Sequence, residues 1–118
     1  MIAFLYGGLY AFAPEPLLRR PLPDGQTSVV IWVEYIFPIW PIMFFAVSVL
    51  ISLSAIYRRG VLLAHSIAVF AWLFYGGCII AGALLSRPPT PVQLGITALC
   101  AGPVHWFVAK ALSAEGIK

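Results

Sequence analysis

Three side chains in this 118-residue chain have the chemistry to act inside an apolar setting: Glu34, His65 and His105. Placing an acid or an imidazole in hydrocarbon is costly, so such groups mark proton relays, ion paths, ligand contacts or interhelical hydrogen bonds. Their depths separate them. Glu34 lies six residues after Ser28, His65 four after Val61, and His105 seven before Leu112. With a helical rise of about 1.5 Å per residue, Glu34 falls in one leaflet and both histidines in the other, His105 about 4 to 5 Å deeper than His65. A single site using all three is excluded. Glu34 reads as an interfacial acid among Trp32 and Tyr35, facing Arg87, and His65 as a headgroup-level histidine beside Arg58 and Arg59. His105 reads as a hydrogen-bonding link to a neighbouring helix, or as the lining of a polar path. The depth difference opposes a His65–His105 pair of axial haem ligands. There is no nucleophile elbow, phosphate loop, HExxH or carboxylate pair at catalytic spacing. Cys78 and Cys100 have no metal-type spacing. The expectation is a chain that is not an enzyme and carries no cofactor or metal.

The elements that must position these residues are unusually apolar. The chain is 62% hydrophobic and 9% charged, against about 25% charged in ordinary globular domains. Val61–Leu85 is 25 residues without a formal charge, about 37 Å of helix, and two similar stretches flank it. A soluble fold of this length could not bury all three. The expected fold is an all-α integral membrane bundle, with three antiparallel up-down transmembrane helices at 28–57, 61–85 and 91–112. Residues 1–13 form a short membrane-embedded or interfacial helix, a fourth crossing only if it tilts little. Tyr6 and Tyr10 suit the interface there, and Pro14 and Pro16 end it. No Lys or Arg precedes it, unlike a secretory signal. Residues 14–27 are a polar loop with a turn at Asp24-Gly25 and a helix cap at Thr27 or Ser28. Pro38 and Pro41 either kink a helix running throughout 28–57, which is the expectation, or start a new helix at Pro38, with Trp32, Tyr35 and Trp40 as an aromatic belt. Arg58-Arg59-Gly60 closes a tight hairpin, Pro91 opens the last span, and Gly102-Pro103 bends it.

Small residues recur at helix-packing spacing: Ser48, Ser52 and Ala55 on one face, then Ala64 and Ala68, Gly77 and Ala81, Cys78 and Gly82, Ala98 and Gly102. Such faces let backbones approach where lipid supplies no hydrophobic force. They point to partners within the bilayer, either a homo-oligomer or a larger membrane complex. Scattered Lys and Arg offer no nucleic-acid surface. The expected role is that of an accessory, assembly or regulatory membrane subunit acting by helix packing. Small size and three spans with an inward C-terminus also resemble phage holins, which implies a self-assembling pore, although the tail KALSAEGIK is less charged than a holin tail. In length the chain is similar to the small multidrug transporters, which implies a transporter or channel, but Glu34 does not match the acid those proteins place in their first helix.

Orientation follows loop cations. Arg58, Arg59, Lys110 and Lys118 stand on one side and Arg19, Arg20 and Arg87 on the other, which puts the C-terminus in the cytoplasm. A single cysteine at position 58 is expected to react only from the cytoplasmic side and one at position 26 only from outside. Labelling of position 58 from outside alone overturns this orientation.

Overall fold

The computed structural model describes residues 1–13 and 22–116, and these are all-helical. Glu15, Arg19 and Arg20 of the polar loop, with Pro14 and Pro16, lie outside the described residues, as does Lys118. Five helices follow in order: α1 (Ile2–Phe12), α2 (Val29–Ile36), α3 (Ile39–Tyr57), α4 (Val61–Leu85) and α5 (Gln93–Ala114). The last three have 19, 25 and 22 residues and mean hydropathies of 2.2, 2.1 and 1.2. At about 1.5 Å per residue each covers about 28 Å or more, enough for a hydrocarbon core of about 30 Å. They run antiparallel to their neighbours. This is a multi-pass membrane protein.

The continuous helix expected over 28–57 is instead two. Phe37 is extended (φ −164°, ψ 143°), because the ring of Pro38 excludes the α region for the residue before it. Pro38 then precedes α3 and Pro41 sits in its first turn, where missing N–H groups cost no hydrogen bond. Ser28 caps α2, its Oγ accepting the Ile31 N–H at 3.3 Å. The Trp40 indole donates to the Val30 carbonyl at 2.9 Å and folds α2 back on α3. The hairpin turn is as tight as expected, with Arg58 (φ +50°) and Gly60 (φ +69°) both left-handed. The last helix runs from Gln93 to Ala114 rather than 91–112, because the Thr90 N–H donates to Ala83 and holds the linker against the end of α4.

α2, α3 and α5 pack on α4, and α1 packs mainly on α3. The centre is aromatic: Trp40 and Phe44 are fully buried between α3 and α4, against Trp72 and Tyr75. Tyr6 joins them edge-on, 5.3 Å between ring centroids from Trp72 and 5.9 Å from Tyr75. Such pairs contribute about 0.5–1.5 kcal/mol each beyond burial. Tyr6, Tyr10 and Trp40 therefore turn into the core. The cause lies in α1, where Gly7 sits under the Phe45 ring and brings the helix close enough for both tyrosines to reach across α3 to α4.

The closest helix crossing is at glycines. A Cβ on Gly76 falls 2.9 Å from the Gly95 carbonyl oxygen, and one on Gly95 lies 3.1 Å from that of Gly76. Gly102 meets Leu73 of α4, while Gly82 receives the backbone of Thr27–Val29. Ala64, Ala68, Cys78 and Ala98 are buried and Ala81 is half-buried. Gly77 faces open space. Gly76→Ala or Gly95→Ala is expected to lower unfolding stability in detergent by about 1–3 kcal/mol through overpacking. Gly77→Ala is expected to leave it unchanged or slightly raised. Equal losses at Gly76 and Gly77 overturn this assignment.

Candidate functional site

The contacts between α4 and α5 fix a register. Gly76 meets Gly95, Gly102 meets Leu73 and lies near Val69, and His65 meets His105. Continued to the end of α4, this register sets Val61 about level with Lys110, so α5 overhangs α4 by about one turn. The overhang removes the depth difference expected between the histidines. Measured from helix ends they differ, but in space they are level.

His65 Nδ1 lies 3.0 Å from His105 Nδ1, with ring centroids 5.2 Å apart. The excess of the second distance over the first is close to one ring diameter, so the two nitrogens face each other nearly head-on. One Nδ1 donates and the other accepts, which puts the two rings in opposite tautomers. His65 is 8% exposed and His105 is half-buried. Hydrogen bonds between helices in lipid are worth about 0.6–2 kcal/mol. Two metal–nitrogen bonds in line need about 4 Å between the nitrogens, so this packing has no room for haem iron between the rings. Among the described residues no group of three or more His, Cys, Asp and Glu comes together.

The pair separates two cavities. His105 lines a cleft of about 830 Å³ between α1, α3 and α5, otherwise walled by apolar side chains with Ser48 and Ser52. His65 lines a smaller one of about 210 Å³ with Ser54, Ala55, Arg58 and Leu112. The Ser48–Ser52–Ala55 face of α3 thus looks onto both cavities, and Ser52 and Ala55 are exposed. Ser48 Oγ donates to Phe44 O at 2.9 Å and Ser54 Oγ to Ile51 O at 2.9 Å, so these hydroxyls are turned to their own backbone.

Glu34 stands apart. It is half-buried on α2, close enough for its charge to act on Tyr75, whose hydroxyl is 2.9 Å from that of Tyr10. His65 and Tyr75 are ten residues apart on α4, about 15 Å. The Tyr10–Tyr75 bond escapes sequence reasoning because it depends on how α1 folds back. Its one signal was the spacing of Tyr6 and Tyr10, one turn apart.

No family model, curated protein or solved structure matches this chain. Replacing His105 by glutamine is expected to preserve bundle stability, because the amide still offers a donor and an acceptor to His65. His105→Leu leaves buried His65 unpaired and is expected to cost about 1 kcal/mol in detergent unfolding. Equal loss in both variants would show that the bond contributes nothing.

Proposed function

We propose that this protein is a non-enzymatic membrane subunit that receives a transmembrane helix of a partner protein in the cleft beside α3. The observation that carries the reading is the uncovered Ser48–Ser52–Ala55 face, small side chains standing over an apolar cleft that no other part of the described chain fills. In lipid, small residues bring helices together because they permit close backbone contact. The layout leaves room for a visitor: α5 packs extensively on α4 alone. The occupant is a convex helix from another protein and not a second copy using the same patch. A symmetric interface sets identical surfaces face to face, and two concave clefts do not fill each other. Serine hydroxyls bonded to their own backbone and histidines bonded to each other also favour packing over catalysis.

A photo-crosslinker at Ser52 in native membranes is expected to capture one discrete protein, and one at lipid-facing Phe70, on the outside of α4, to capture none. Ser52→Leu, with unchanged unfolding stability, is expected to abolish co-purification of that same protein. A crosslink only to further copies of this chain in a large homo-oligomer would overturn the reading in favour of a self-assembling pore.

A further inference from the structure

We propose that His65 and His105 form a site for a single shared proton, and that binding a second proton drives the C-terminal end of α5 away from α4. In the neutral pair one hydrogen lies between the facing Nδ1 atoms, 3.0 Å apart. A first added proton goes to the outer Nε2 of the donor ring. It leaves the bond intact, now charge-assisted and stronger. The next proton has to take the accepting Nδ1 itself. Two N–H groups then point at each other across a gap that fits one hydrogen, and the contact opens.

Among the described residues the surroundings offer no counter-charge. From α3, Arg58 lines the smaller cavity, and from α1 Met1 lines the larger one. On α5, Lys110 follows one turn later, over the Trp106 ring. Among the described residues no carboxylate lines either cavity. The structure also contains a place to bend. Pro103, two residues before His105, has no N–H, so the helical bond to the Leu99 carbonyl is missing. Beyond it the outer half of α5 is held to α4 through the histidine pair and buried Ala109. The inner half is fixed by the Gly76–Gly95 crossing. The sign follows from the hydrogen count: the contact is closed while at most one ring is charged and is lost in acid, when both are. Opening merges the two cavities.

The test is an electron-spin distance measurement on the chain alone in vesicles, so it does not depend on whether a partner occupies the cleft. Labels go at Leu62→Cys and Val108→Cys, with a control pair at Leu84→Cys and Leu94→Cys, all with Cys78→Ala and Cys100→Ala. From about pH 8 to about pH 4.5 the first distance is expected to lengthen by about 5 Å while the control stays fixed. His65→Gln, and separately His105→Gln, retains one titrating ring and a neutral partner that can always accept. Each is expected to remain closed at both pH values. A parent distance that does not change overturns the proposal, as does equal widening in either glutamine variant. If one variant fails to fold, the parent series and the other variant decide.

Discussion

Lipid gives helices no hydrophobic reason to associate, so the bundle holds only where backbones come close or polar groups meet. Both kinds of contact are concentrated on α4. Near its middle the Gly76–Gly95 crossing brings main chain against main chain. One turn into it His65 binds His105, and at its end Ser86 Oγ accepts the Thr27 N–H at 3.0 Å and donates to the Gly82 carbonyl at 2.9 Å. The neighbouring Arg87 N–H donates to Gly25 O at 2.8 Å, which ties the turn before α2 to the same end. Fastened at both ends and crossed near the middle, α4 is the post that carries α2, α3 and α5, while α1 rests mainly on α3. Among the described residues the buried Trp72 indole N–H meets no hydrogen-bond acceptor, a cost of about 1–3 kcal/mol. The ring is kept where it is by its contacts with Phe44 and Tyr6.

This dependence explains which features could be read from the sequence. Three long apolar stretches set the fold class, since length and hydropathy are properties of one helix at a time. The Ser28 cap, the Asp24-Gly25 turn and the Arg58-Arg59-Gly60 reversal are equally local. Pairwise facts were harder. Small-residue spacing singles out Gly77 as readily as Gly76, and only the position of α5 tells them apart. Counting depth from helix ends assumes level ends, and the overhang of α5 hides the contact between His65 and His105. Aromatic residues near a span end suggest an interface belt, but Trp40 is buried where α2 and α4 close over it. Pro38 offered either a kink or a new start, and the extended backbone at Phe37 resolves this as a break.

The polar groups form two centres, one of two histidines and one of Tyr10 and Tyr75 with Glu34 near. Between them stand Trp72, Phe44 and the ring of Tyr6. The Trp72 indole in that layer is a donor only. The architecture thus sets a histidine centre and a tyrosine centre on either side of an aromatic layer.

The cleft and the proton site share a wall, because His105 lines the same space as Ser48 and Ser52. Two events on one wall are thermodynamically linked, and the coupling is reciprocal. A partner helix of the kind proposed, lying over His105, would add contacts that α5 loses if it swings out, so its occupancy would hold the histidine pair closed against acid. By the same amount, acid that opens the pair weakens the hold on the helix. The linkage needs no long pathway: cleft, hinge and imidazoles lie within a few turns of α5. What sets its size is how much of the visiting helix rests on the residues beyond Pro103 rather than on the immobile face of α3.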